Sequence, residues 1–290
     1  MQKLTYINLN NEQAVFCGAP YVLSKIGGLG LPELEFQSIR GAYQQGDTAL
    51  SFRRPKRMLS VTLHIMAGSR AELYRLRMAL LGVLSPDKAA QGDDRAVLIY
   101  ENDHARYMTY AVPDGGLDAQ GRTLDTQPNL RLGFRCESPY WFAAIPSSVA
   151  FEDAGEGFAM PFQFPVDFGR RDYCKNANNL GQVSVPVQIT IVCKGEVPRL
   201  KNLTTGKEIA LSAAVPAGNT LVLNTDPARL DARIIDADGM ETGAFGKLSL
   251  LTPLADFTLR PGLNELAYEA GGVSAQSEIT VAWRAAYEGV

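Results

Sequence analysis

The sequence predicts a mainly β chain in two parts, an α+β first domain followed by a β-sandwich, and three observations lead there. Most apolar segments are short, alternate with period two, and are separated by Gly, Pro, Asn or Asp. One stretch, Ser69 to Leu84, carries helical spacing instead. From Pro139 through Phe168 the chain is dense in Pro, Gly and aromatic residues, and no helical spacing follows. The boundary is therefore expected near residue 145, giving domains of 1–145 and 146–290.

The elements of the first domain can be read in order. Leu34 to Arg40 and Thr48 to Phe52 flank the loop Gly41 to Asp47, which is long enough to project as an arm. Met58 to Met66 alternates, with Val61, Leu63 and Ile65 on one face and Thr62, His64 and Met66 on the other. Leu73, Leu76, Leu80, Val83 and Leu84 fall on one face of a helix. Ser69 with Glu72 forms a capping box at its start, and Pro86 stops the run. Such a short helix persists by packing its leucine face on a sheet. Ala96 to Tyr100 and Arg106 to Val112 make a hairpin about Asn102-Asp103.

In the second domain Val183, Val185, Val187, Ile189, Ile191 and Cys193 alternate without a break, which predicts one long strand; Pro186 within it predicts a sheet edge. Further strands are expected at 221–223, 233–236, 248–251, 263–268 and 279–283. Between them lie turn signals at Pro216 to Asn219, Asp236 to Gly239 and Pro261 to Asn264.

With 290 residues, 46% hydrophobic and 20% charged, the chain has ordinary globular usage, which argues against disorder, collagen-like repeats and long coiled coils. A net charge of −3 from 28 basic and 31 acidic residues provides no general field for polyanions, so non-specific nucleic-acid or membrane-surface binding by the whole molecule is disfavoured; nor is a membrane partner or specific nucleic-acid binding expected. The first ten residues alternate and lack the apolar run of a secretory signal, so no export is expected. No run of about 18 apolar residues offers a membrane span. Cys17, Cys136, Cys174 and Cys193 show no paired spacing and are expected as buried free thiols.

Reactive constellations are scarce. His64 and His104 are the two histidines, too few for a zinc site or a histidine-based triad, so a catalytic histidine is not expected, and no catalytic residue, metal ligand or cofactor is assigned from the sequence. Asp236 to Gly239 with Glu241 resembles part of a calcium loop, but the spacing is compressed and a hairpin turn accounts for it. Gly27-Gly28-Leu29-Gly30 lacks the Lys-Ser/Thr of a phosphate loop and reads as a flexible connector. Asn202-Leu203-Thr204 matches a glycosylation acceptor without an export signal to use it. Trp283 continues an inward alternation, while Trp141 sits in the run Tyr140-Trp141-Phe142, placed to seal a joint between domains. The carboxylate pairs Asp93-Asp94 and Glu152-Asp153 identify no dyad without distances. The conspicuous charge cluster is Arg53, Arg54, Lys56 and Arg57, which reads as a surface feature beside the arm: a solvated turn, a contact with another subunit, or a nucleic-acid contact.

Taken in order, Tyr21-Val22-Leu23 with Gly27-Gly28-Leu29, the basic start of strand 58–66, the Ser69-capped helix and Ser138-Pro139-Tyr140-Trp141 resemble the distal tail (Dit) proteins of long-tailed bacteriophages. Asn179-Leu180-Gly181, Asn202 to Gly206, Pro216-Ala217-Gly218, Pro261 to Asn264 and Trp283 to Tyr287 extend the resemblance over nearly the whole chain. It implies a split-barrel-like N-terminal belt domain with one helix and an arm-like hairpin, followed by a C-terminal galectin-like β-sandwich. It also implies a non-enzymatic, hexameric virion hub at the tail tip or baseplate, assembled in the host cytoplasm. Its partners would be a tail tube protein, a tail hub or tip protein and, in some members, a receptor-binding protein. On this view Arg53, Arg54, Lys56 and Arg57 are candidates for the contact between subunits. The alternative is a carbohydrate-binding adhesin using the sandwich, and it requires exposed stacking aromatics. A hydrolase acting on cell-wall polymer comes third.

Overall fold

The computed structural model describes residues 2–92, 94–117, 126–151, 173–195, 197–249, 253–271 and 277–290. Two compact units divide the chain. The first is Met1–Ala144 together with Tyr287–Val290, and the second is Ile145–Ala286. The last four residues, assigned by sequence to the second domain, thus belong to the first.

Unit one contains β1 (Lys3–Ile7), β2 (Gln13–Phe16), β3 (Tyr21–Gly27), β4 (Glu35–Ile39), β5 (Thr48–Arg53), β6 (Arg57–Met66) and α1 (Arg70–Val83). The short strands β7 (Ala90–Gln91) and β8 (Asp94–Arg95) follow, then β9 (Val97–Glu101), β10 (Arg106–Gly116), β11 (Thr126–Cys136) and β12 (Trp141–Ala143). The main sheet runs β2-β1-β9-β10-β11-β6-β3 with antiparallel neighbours. In β6, Leu59, Val61, Leu63 and Ile65 are buried while Met58, Ser60 and Met66 are exposed, so alternation sets the face as the sequence predicts. Leu73 and Leu80 of α1 are buried in the same core. The Ser69 Oγ accepts from the Glu72 N–H (3.2 Å), whereas the Glu72 carboxylate reaches back to the Gly68 N–H (2.9 Å), one residue earlier than a capping box requires. Trp141 is wholly buried in this core, its ring 6.0 Å from Tyr100.

Unit two contains β13 (Ser147–Phe151), β14 (Tyr173–Asn179), β15 (Val185–Pro186), β16 (Gln188–Val192), β17 (Val197–Asn202), β18 (Lys207–Ala210), β19 (Thr220–Asn224), β20 (Asp231–Ile235), β21 (Glu241–Gly243), β22 (Thr258–Leu259), β23 (Gly262–Gly271) and β24 (Glu278–Trp283). One sheet is ordered β13-β24-β16-β19-β20-β21, and a second β14-β23-β17-β18. Across the first, Ile189 faces Leu223 and Val281, and Ile191 faces Leu221 and Ile279, all buried. Each sheet has one buried face, the condition for a layered β unit.

The predicted single strand from Val183 to Cys193 is instead two strands. β15 pairs with β22, and β16 lies between β24 and β19 in the middle of the larger sheet. The apolar face is continuous through the break, with Val185, Val187, Ile189, Ile191 and Cys193 all buried. What changes is the hydrogen-bonding partner: at Val187 the N–H donates to Thr225 Oγ1 (2.8 Å) while its carbonyl accepts from the Thr225 N–H (3.0 Å). Pro186 therefore sits in the two-stranded pairing and leaves the central strand its full set of donors. The strand expected at 248–251 is reduced to an isolated bridge between Leu248 and Leu211, after a 3₁₀ turn at Phe245–Lys247; residues 250–252 lie outside the described residues.

Candidate functional site

A hairpin arm stands out from unit one. Among the described residues β4 and β5 pair only with each other, and every residue of both strands is exposed. Glu35 opposes Arg53, Phe36 opposes Phe52 and Gln37 opposes Ser51, after which the register shifts. The two phenylalanine rings lie 6.2 Å apart and yet are more than half exposed. Leu50 and Ile39 are exposed to a similar degree, and Tyr43 near the tip is completely exposed.

The arm's shape is held by its own polar groups. Gln44 accepts from the Gly41 N–H at Oε1 (3.1 Å) and donates from Nε2 to Thr48 Oγ1 (2.8 Å), closing the loop. Ser51 donates to Gln37 (3.2 Å), and Arg53 donates to the Glu35 carboxylate. A two-stranded hairpin is marginal in water by itself, and a contiguous exposed apolar patch marks an interaction surface. The arrangement suits the binding of a protein surface; it assembles no reactive group.

The basic turn at the arm's base divides its cations among different tasks. Arg53 is exposed and paired to Glu35 within the arm. Arg54 is half-buried, paired to the Glu288 carboxylate, with its guanidinium over the Phe52 and Tyr140 rings. Lys56 is exposed.

Arg57 departs from the surface reading of the cluster, because it is 4% exposed. As the first residue of β6 it shares the inward face with Leu59 and Val61. Its Nε donates to the Pro139 carbonyl (2.8 Å), its Nη1 to those of Gly28 and Gly30, and its Nη2 to that of Glu288. Burial holds its pKa below the ordinary arginine value, as expected for a cation whose partners are carbonyl dipoles. The same burial pushes the neighbouring Cys136 thiol up to about 12.

The segment Gly27 to Gly30, read from sequence as a flexible connector, is therefore one wall of the arginine's cage. Gly28 has φ +89, and a Cβ there would meet the Met58 carbonyl oxygen at 2.4 Å, so glycine is required. The last four residues form another wall. Tyr287 packs edge-on against Tyr107 at 5.2 Å, Glu288 is held by both Arg54 and Arg57, and the Val290 N–H donates to the Leu29 carbonyl (3.0 Å).

The remaining sequence motifs resolve into structure. Asp236 to Gly239 is the β20–β21 turn, with the Gly239 N–H donating to the Asp236 carbonyl (3.0 Å) and the Asp236 carboxylate accepting from the Asp238 and Met240 N–H groups. Asn202 is fully buried: its Oδ1 accepts from the Thr204 and Thr205 N–H groups, and its Nδ2 donates to the Thr258 carbonyl (3.0 Å). It is an architectural residue out of reach of a glycan. His64 accepts at Nδ1 from the Asn129 N–H (3.1 Å), and His104 lies in the turn shaped by Asn102. Both tryptophans are buried. All four cysteines are free, but only Cys136 and Cys193 are buried; Cys174 is exposed and Cys17 intermediate. Among the described residues, no group of three or more His, Cys, Asp or Glu is placed to hold a metal ion, and no helix is long and apolar enough to cross a membrane. Asp93 and the pair Glu152-Asp153 lie outside the described residues.

No family model matches this sequence, nor does any curated protein. Solved structures do. The Dit protein of phage SPP1, described as a paradigm of the hub adsorption apparatus in phages infecting Gram-positive bacteria, aligns over 98% of this chain and 99% of its own, with a TM-score of 0.65 and 12% identity. This chain has the fold of SPP1 Dit from end to end. Chains of the phage P2 baseplate in its activated conformation, with Ca and with Sr, each align over 97% of this chain at TM-score 0.51 and 12% identity. The mainly β fold is thus shared with phage hub and baseplate proteins, and the resemblance read from turn and strand motifs is matched by backbone.

Sequence reading located the arm but not its apolar load, because Phe36 and Phe52 look like ordinary inward strand residues until both strands prove exposed along their length. Glu288 was missed altogether. Its acidic side chain carries no local signal, and its partners lie more than 200 residues away in sequence.

Proposed function

We propose that this chain is a structural component of a bacteriophage tail, a ring-forming hub joining the tail tube to the baseplate or tail tip. The observation that carries the proposal is the end-to-end likeness to SPP1 Dit, which spans both units without a large insertion on either side. In this reading unit one is the belt domain of a hexameric ring. Unit two is a galectin-like sandwich that offers docking surface to adhesion proteins.

The arm supports the reading physically, since a fully exposed hairpin bearing aromatic residues requires a partner surface, and a ring of identical copies supplies one to each arm. Arg53 and Lys56 are the cations of the basic turn left at the surface to meet that neighbour. Arg54 and Arg57 hold the arm's base in place from within. Burial of both tryptophans removes the strongest stacking platforms that a carbohydrate-binding reading would use.

Native mass spectrometry with negative-stain imaging tests the proposal. The expected particle is a ring near six times the 31.5 kDa chain, and replacing residues 36–52 with a short Gly-Ser linker is expected to leave folded monomers. A chain that stays monomeric at all concentrations, alone and with tail tube protein, refutes it.

A further inference from the structure

On the outward face of β6, His64 holds an irregular piece of the neighbouring strand. The β6–β11 ladder runs in register from Arg57 opposite Cys136 to Leu63 opposite Leu130, then shifts, and resumes with Ile65 opposite Gln127 and Met66 opposite Thr126. Pro128 and Asn129 are left over as a bulge beside His64. Asn129 passes through the left-handed region at φ +57. Its N–H donates to Nδ1 of the His64 ring at 3.1 Å, where a regular ladder would have used a carbonyl.

β10, on the other side of β11, is irregular in the same region. Its register shifts between Pro113 and Gly116, its backbone has positive φ at Gly115, Gly116 and Leu117, and the Leu117 N–H donates to the Arg131 carbonyl (2.6 Å). Beyond the shift, the stretch Thr126–Asn129 is thus tied to β6 by two residue pairs and the imidazole. So short a ladder is marginal in water, which gives the side-chain bond weight.

That bond exists in one charge state only. A backbone N–H can donate only to a ring nitrogen with a free lone pair, so the ring proton sits on Nε2. An imidazolium carries N–H on both nitrogens and would set donor against donor at Asn129. The surroundings favour parting once the charge forms. On β6 the flanking outward residues are Thr62 and Met66, and from β3 Val22 stands opposite. Lys25 of β3 and Arg131 of β11, both exposed, oppose Thr62 from its two sides. Asp114 of β10 lies by Gly133, which opposes Ser60, four residues along β6 from His64.

We propose that His64 is an acid-sensitive latch: neutral, it holds the Asn129 bulge on β6, and protonated, it releases residues 126–129 from that strand. Leu63, Ile65 and Leu130 keep the inner face packed, so the opening is local and the sheet stays folded. Histidine is the side chain that ordinarily changes charge between about pH 5 and 8, which sets the window.

The test is hydrogen exchange of the full chain at pH 8 and pH 5, read at the Asn129 amide by mass spectrometry with fragmentation and corrected for the intrinsic pH dependence of exchange. The Asn129 amide is expected to lose protection about five- to tenfold at the lower pH. His64→Asn places an acceptor near Nδ1 that never protonates, and should keep the amide protected at both pH values. His64→Phe keeps a ring without the acceptor, and should leave the amide fast at both. His104, in a turn held by Asn102, supplies the control: His104→Asn should retain the full response. Protection at Asn129 that is equal at the two pH values in the unaltered chain overturns the proposal. So does a pH response that survives in His64→Asn or His64→Phe, which would place the titrating group elsewhere.

Discussion

Replacing Arg57 with methionine removes one side chain and releases four carbonyls on three separate pieces of backbone in unit one. The guanidinium donates to the carbonyls of Gly28, Gly30, Pro139 and Glu288. A hydrogen bond from a charged donor contributes about 1.5–3 kcal/mol, but these contributions do not add in full. The cation itself is costly to bury, as its lowered pKa shows, and methionine fills much of the volume without that cost. Leaving the carbonyls without their donor is therefore expected to cost about 3–4 kcal/mol net. For a unit of roughly 150 residues, about 2–4 °C of Tm is lost per kcal/mol, so the transition of unit one should fall by about 10 °C. Differential scanning calorimetry of the full chain reads this directly, because the transition of unit two should stay in place. Hydrogen exchange should show the Val290 amide losing protection, since its tail is no longer held through Glu288. Arg57→Lys keeps the charge but loses the planar fork, and is expected to recover less than half of the loss. A shift below about 2 °C, or an equal shift in both transitions, would show that the four carbonyls are satisfied without the arginine.

Three other outcomes are expected. Glu12 accepts from Lys88 Nζ (2.7 Å) and from Asn8 Nδ2 (2.7 Å), and these bonds, the lysine's first, hold its carboxyl below the usual range. A depressed carboxylate pKa stabilises the fold above the unfolded value and loses that effect as pH falls through the folded one. Glu12→Gln should thus lower the Tm of unit one at pH 7, with the difference shrinking as pH falls below the ordinary glutamate value of about 4.3 and gone below the lowered folded value. Asn202→Ala, which removes the partner of the Thr204 and Thr205 N–H groups and of the Thr258 carbonyl in a part-buried network, should cost unit two about 1–3 kcal/mol by urea denaturation. In native alkylation at pH 8 followed by mass spectrometry, Cys174 should be labelled first. Cys136, buried and with its pKa pushed up to about 12, should be labelled only after unfolding.

The sequence alone determined whatever rests on neighbours a few residues apart. Period-two alternation placed the inner face of β6, the spacing of Leu73 and Leu80 with Ser69 at the cap placed α1, and Asp236 with Gly239 placed a hairpin, because each of these signals is complete within one turn or one strand. The tertiary structure alone decided where long-range partners meet. Arg57 reads as one of four surface cations, yet its acceptors lie between 27 and 231 positions away, so nothing local distinguishes it from Arg53. The alternation from Val183 to Cys193 fixed a continuous apolar face but not the exchange of sheets at Val187, since a face is a property of one strand and a ladder belongs to two. Phe36 and Phe52 have the same pattern as core residues, and only their exposure in the β4–β5 hairpin turns them into the candidate contact with another molecule.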